Sequence, residues 1–180
     1  MVLNKAEYQE AAAHGLRFLQ DRHRQPDGAY AWVLQGREVE DDTRFCYGHA
    51  FVLVAAAGAA KAGVDGASAI ADDVYDLLEE RFWEPDAQLY VDEIAAGRWD
   101  IIEPYRGQNA NMHMCEAMLY AFEATEDLKY LDEETPQKKG PAKKKAASKK
   151  AEEGPAQPMQ EAIDLLCSVL LSEKTVNGVI

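Results

Sequence analysis

Between Tyr47 and Ala60 the chain reads Tyr-Gly-His-Ala-Phe-Val-Leu-Val-Ala-Ala-Ala-Gly-Ala-Ala, and its apolar residues fall nearly all round a helix instead of along one stripe. Such a helix has to be enclosed by other elements. The Ala-rich run from Phe51 to Ala62 is too short to cross a bilayer, so the enclosure has to come from protein. The acidic stretch Asp41-Asp42-Thr43 suits the positive start of this helix, and Gly63 suits its end.

The flanking segments supply helices of the opposite kind. From Ala67 to Phe82 the residues Ile70, Val74, Leu77 and Leu78 share one face, with Asp72, Asp73, Asp76, Glu79 and Glu80 elsewhere, which predicts an outer, amphipathic helix. Tyr8, Ala12, Leu16 and Leu19 predict another between Asn4 and Gln20, capped by Asn4. After it, Pro26-Asp27-Gly28 is a break, and Ala29 to Leu34 followed by Gln35-Gly36 reads as a short strand entering a turn. A buried helix is expected from the Glu103–Glu116 segment to about Glu123, with Thr125 capping a fifth helix that begins at Leu128.

These pieces repeat. Pro26-Asp27 matches Pro85-Asp86, Tyr30 matches Tyr90 and His49 matches His113, at offsets near 60 residues. A recurring pair of one exposed and one buried helix is what a helical toroid produces, its buried members forming an inner ring whose starts share a rim. A plain helical bundle is the simpler alternative.

Charge and composition change sharply near residue 135. The first 135 residues hold 27 acidic and 11 basic side chains, the remainder 5 and 8. The acidic part repels a nucleic-acid backbone, so no nucleic-acid partner is expected there, and the N-terminus lacks the pattern of a secretory signal. Three domains of character follow: 1–135 as the helical domain, 136–158 as a disordered Lys/Ala/Pro-rich linker, and 159–180 as a short helix and tail. Three widely spaced cysteines, with no C-x-x-C pair, fit reduced thiols in a cytoplasmic protein better than a disulfide framework or a zinc site. No membrane, metal or cofactor is called for.

Polar chemistry concentrates in Glu103-Pro-Tyr-Arg-Gly-Gln-Asn-Ala-Asn-Met-His-Met-Cys-Glu116. As a turn entering a helix, this segment sets Asn109 and His113 on one face with Glu116 a turn deeper. An imidazole flanked by amides and backed by a carboxylate holds and returns a proton near neutral pH. The same residues also serve a helix that merely needs its free N–H groups satisfied. A metal held by His113, Cys115 and Glu116 has poor geometry for one helix.

Tyr47-Gly48-His49-Ala50-Phe51, Tyr105 to Met118 and Tyr130-Leu131-Asp132 together resemble the N-acylglucosamine 2-epimerase family, nearest to its mannose isomerase and sulfoquinovose isomerase-like branch. The resemblance runs from about residue 10 to about residue 132. It implies an all-α fold, a partial (α/α)6 barrel with short β-like turns between helices. It also implies a monosaccharide substrate, ring-opened and epimerised or isomerised at C2 through an enediol by acid/base proton transfer without a cofactor. By position, it makes His113 catalytic and Tyr47, Arg106, Gln108 and Asn109 substrate-binding, with Glu116 behind His113. Each has a plainer alternative: Tyr47 as core filler, Arg106 paired with Glu103, Gln108 as a cap, whereas His49 is read as a core histidine. The family's other acid/base histidines have no counterpart here. The chain is therefore expected to be an incomplete copy with little activity alone and with uncovered surface that favours self-association. Two further readings compete: a non-catalytic half-barrel binding a sugar or a partner protein, and a glycoside-processing enzyme using Glu103 and Glu116.

Overall fold

The computed structural model describes residues 6–102 and 105–131. The chain divides into two compact units, Met1–Tyr130 and Leu131–Ile180; every element below belongs to the first. Asn4, Glu103, and the linker and terminal helix expected after residue 135 lie outside the described residues.

Helix α1 spans Ala6–Phe18 and passes into a π-helical turn, Leu19–His23, closed by the Arg24 N–H donating to the Leu19 carbonyl at 3.0 Å. Strands β1 (Val33–Gln35) and β2 (Glu38–Asp41) form a hairpin whose turn needs the left-handed conformation of Gly36, φ 65°. β3 (Arg44–Phe45) leads into α2 (Cys46–Lys61), followed by α3 (Ala67–Arg81). A second hairpin joins β4 (Trp83–Glu84) to β5 (Leu89–Tyr90), β6 (Glu93–Ile94) returns to pair with β3, and α4 spans Gln108–Thr125.

Burial sorts the helices as their composition demands. Cys46, His49, Ala50, Val52, Leu53, Ala56, Ala57 and Ala59 of α2 are all buried, a band too wide for one contact face. α1 buries Leu16 alone, α3 the stripe Ala67, Ala71, Val74, Tyr75 and Leu78, and α4 the stripe Ala110, Met114, Ala117 and Ala121. Alanines at these positions let backbones approach closely. At Gly58 even one added methyl carbon would lie 3.2 Å from the Tyr120 hydroxyl of α4.

Residue pairs fix the directions. Tyr47 meets His113 near the starts of α2 and α4, and Lys61 reaches Glu123 at 2.7 Å near their ends, so these helices run parallel. α1 and α3 run against α2: Gln9 donates to the Gly63 carbonyl at 2.9 Å, and His49 packs on Phe82 with ring centroids 5.1 Å apart. Helix direction thus alternates along the chain, whereas α4 buries one Ala-rich stripe instead of the all-round face of α2 that the sequence predicts for a second inner helix.

One acidic residue ties the two parallel helix starts together. The Asp92 carbonyl accepts the Cys46 N–H at 2.9 Å, while its carboxylate accepts the Gly107 N–H at the start of α4. A free N–H of each helix is thereby satisfied from a single residue. Gly107 has room for no side chain, since a Cβ there would fall 2.5 Å from Asp92 Oδ2 and 2.7 Å from Tyr105 Cε1.

Three expectations need correction. Among the described residues Thr125 closes α4 without opening a regular fifth helix: its hydroxyl donates to the Ala121 carbonyl at 2.7 Å and accepts the Asp127 N–H at 3.3 Å, Glu126 turns left-handed at φ 58°, and a 3-10 turn, Leu128–Tyr130, follows. The strand expected over Ala29–Leu34 is β1, displaced towards the turn, because the Tyr30 N–H is claimed by His49. Nor do Asp41, Asp42 and Thr43 cap α2. Its N-cap is Phe45, with Asp41 accepting from the Thr43 N–H at 2.8 Å and Asp42 paired with Arg44.

Candidate functional site

The internal repeat places the site residues more closely than the sequence does. In the first repeat His49, fourth residue of α2, accepts the Tyr30 N–H on Nε2 at 3.0 Å, and its Nδ1–H faces the Phe45 carbonyl at 2.7 Å. In the second, Asn111, fourth residue of α4, accepts the Tyr90 N–H on Oδ1 at 2.8 Å and donates to the Tyr90 and Gly107 carbonyls at 3.1 and 3.0 Å. Tyr30 and Tyr90 are both buried, their hydroxyls tied to Gln20 and Glu79 beside the preceding outer helix. His49 therefore corresponds to Asn111, not to His113, and in this register Phe51 occupies the place of His113 and Tyr47 that of Asn109. Burial holds His49 neutral, its pKa pushed down to about 4. Burial likewise raises the Cys46 thiol and Glu79.

His113 sits differently. Its ring meets Tyr47 edge-on, centroids 5.0 Å apart at 86°, and Phe51 at 5.0 Å and 50°. Nδ1 lies 2.9 Å from Glu116 Oε2. A carboxylate accepts only, so in the neutral ring Nδ1 carries the proton and Nε2 keeps its lone pair. The side chain is half-buried, against the wholly buried His49. The two aromatic neighbours come from α2, so this pairing depends on the packing of α2 against α4. Phe51 was not among the expected site residues, although its place four residues after Tyr47 puts both rings on one helical face.

Gln108 and Asn109 are exposed at the first two positions of α4, and Gly107, not Gln108, is its N-cap. Arg106 stands before the helix, largely buried, in an ion pair with Glu84. Its counterpart in the first repeat, Arg44, is buried and paired with Asp27 and Asp42. Both arginines thus have carboxylate partners, and two of these, Asp27 and Glu84, are too distant in the chain for the sequence to assign.

A hollow of about 320 Å³ opens beside the start of α2, walled by Leu19, His23, Trp32, Phe45, Tyr47 and Phe51 among others. Tyr47 is the one expected site residue on its wall. His113 touches Tyr47 and Phe51 without lining the hollow itself. Among the described residues no helix is long and apolar enough to cross a membrane.

Residues 1–136 match the family model of N-acylglucosamine 2-epimerase (GlcNAc 2-epimerase). The chain belongs to the N-acylglucosamine 2-epimerase family. It is 50% identical over 129 residues to a D-mannose isomerase of Marinomonas mediterranea, covering 72% of this chain and 32% of that protein. A solved structure of D-mannose isomerase superposes with a TM-score of 0.68 at 49% identity, covering 72% of this chain and 33% of that one. Cellobiose 2-epimerase from Bacillus thermoamylovorans shares the fold, with a TM-score of 0.66 at 21% identity over 72% of this chain and 37% of its own. The chain thus spans about a third of the relatives it matches, and its alternating helices are part of an (α/α)6 barrel.

Proposed function

We propose that this chain carries one wall of a sugar epimerase or isomerase site in which His113 is an acid/base group. The observation that carries the reading is the Tyr47–His113–Glu116 arrangement. Glu116 fixes the tautomer, the two aromatic rings fix the imidazole plane, and Nε2 is left able to take a proton.

In an open-chain aldose the C2 proton passes to such a nitrogen, the C2–H electron pair forms the C1=C2 bond, and the C1 carbonyl oxygen takes a proton to give the enediol. Return of a proton to C1 with loss of the O2 proton yields the ketose; return to the other face of C2 with loss of the O1 proton yields the epimeric aldose. On this reading Tyr47, Asn109 and Gln108, all at the starts of the parallel helices, hydrogen-bond sugar hydroxyls. Arg106 joins them only where its pairing with Glu84 leaves donors over. Enediol chemistry needs a second proton-transfer group for the carbonyl oxygen, and on this reading the chain alone acts slowly. Buried thiols such as Cys46 suit a reducing cytoplasm.

The test is deuterium uptake, in deuterium oxide, at C2 of mannose, glucose or N-acetylmannosamine or at C1 of fructose. Uptake that His113→Ala abolishes supports the reading, and uptake surviving that change refutes the role of His113. One observation favours a second reading, a half-barrel that binds sugar or a partner without catalysis. Phe51 and Met112 on the parallel helices and Tyr105 before α4 are exposed, apolar surface suited to self-association. Sugar binding without exchange, or a dimer in sedimentation that Phe51→Ser dissolves, supports it.

A further inference from the structure

The hollow beside α2 and the histidine on its wall are not used by the proton-transfer site. His23 closes the π-helical turn after α1, a geometry that recurs at functional positions. It is tied twice to the same residue: its carbonyl accepts the Ala31 N–H at 2.8 Å, and its Nδ1 lies 2.9 Å from the Ala31 carbonyl. Nδ1 must therefore be the donor, which leaves Nε2 of the neutral ring as an acceptor with no hydrogen-bond partner among the described residues. The next residue after Ala31 is Trp32, whose indole is 41% exposed and packs at 4.9 Å on Phe45 and 6.2 Å edge-on to Tyr47. The Tyr47 hydroxyl also makes no hydrogen bond to another described residue. The hollow thus combines aromatic faces, one fixed imidazole acceptor and one free phenol. At about 320 Å³ it falls at the small end of ligand pockets, which run from roughly 300 to 1,000 Å³.

Aromatic faces meet the C–H side of a pyranose, while isolated acceptors and donors meet its hydroxyl edge. An aliphatic ligand would leave the imidazole acceptor unpaired, and an anion would be repelled by its lone pair. We propose that the hollow seats one closed pyranose ring, lying against Trp32 and Tyr47, with a sugar hydroxyl donating to His23 Nε2. This seat shares Tyr47 with the proton-transfer site but requires no ring opening. It rests on the sugar reading above for its choice of ligand class, and it adds His23 and Trp32, neither of which the motifs single out.

The experiment is a tryptophan-fluorescence titration of the full chain with methyl α-D-mannopyranoside, a glycoside that cannot open and so cannot undergo C2 exchange. A saturable change is expected, lost in Trp32→Phe and weakened about three- to tenfold in His23→Phe, which keeps an aromatic ring but removes the acceptor. His23→Gln, which restores an acceptor, is expected to recover part of the affinity. No saturable change in the parent chain, a change that Trp32→Phe retains, or unaltered affinity in a folded His23→Phe each overturns the proposal. The two readings fail separately: glycoside binding without C2 exchange leaves the seat standing and sinks the proton-transfer role, whereas C2 exchange without glycoside binding does the reverse.

Discussion

Stability should fall between neutral pH and pH 5 because of a histidine that performs no proton chemistry. His49 is wholly buried, with both ring nitrogens engaged, Nε2 as an acceptor from Tyr30 and Nδ1 as a donor to Phe45. Burial penalises the charged ring and drops the pKa from 6.5 to about 4, and protonation would besides turn the acceptor into a second donor facing an N–H. The unfolded chain binds that proton as pH falls through 6.5, while the folded chain does not until about pH 4. Stability contributed by His49 is therefore complete above 6.5 and lost progressively below it, by about 2 kcal/mol at pH 5 and about 3 kcal/mol once pH reaches the folded value. His49→Asn places in the first repeat the residue that accepts from Tyr90 in the second, and it does not titrate. Urea unfolding at pH 5 and pH 7, followed by tryptophan fluorescence, should show the pH difference shrinking by about 2 kcal/mol in this variant. An unchanged pH dependence in His49→Asn would refute the assignment of both the tautomer and the repeat register.

Gly107→Ala forces a methyl carbon against the Asp92 carboxylate and the Tyr105 ring, and should cost about 1–3 kcal/mol in urea unfolding while weakening the link between the starts of α2 and α4. Asn111→Ala strands the buried Tyr90 N–H and removes three hydrogen bonds, so a loss of about 2–4 kcal/mol is expected, with Asn111→Leu no better despite its closer size. Cys46 should resist maleimide in the native protein and react only after unfolding, as read by peptide mass mapping, because burial both shields it and raises its pKa.

Helix existence was legible from apolar spacing. The all-round apolar run became the most enclosed helix, and the acidic amphipathic segment became α3, close to the expected ends. Register across the repeat was not legible, because His49 and His113 invite pairing by residue type whereas the backbone pairs His49 with Asn111 through their shared task of holding a tyrosine amide. Asp92 carried no local signal: its importance lies in two contacts made across the fold, with Cys46 and Gly107. For Arg106 the sequence offered Glu103, which lies outside the described residues, and carried no signal for the pairing with Glu84 on β4. The contact of Tyr47 with His113 followed from the rim argument, since parallel helices place their starts together. Phe51 and Trp32 were hidden among residues that read equally well as core.

The central claim is that His113 presents an unprotonated Nε2 beside Tyr47 to a sugar. Nitrogen-15 NMR of the imidazole rings in the full chain tests it most directly. The account predicts a pyrrole-type Nδ1 and a pyridine-type Nε2 for neutral His113, a preference lost in Glu116→Ala, which removes the acceptor, and movement of the Nε2 resonance on addition of mannose. A neutral His113 protonated on Nε2, or a ring resonance that mannose leaves in place, would contradict it.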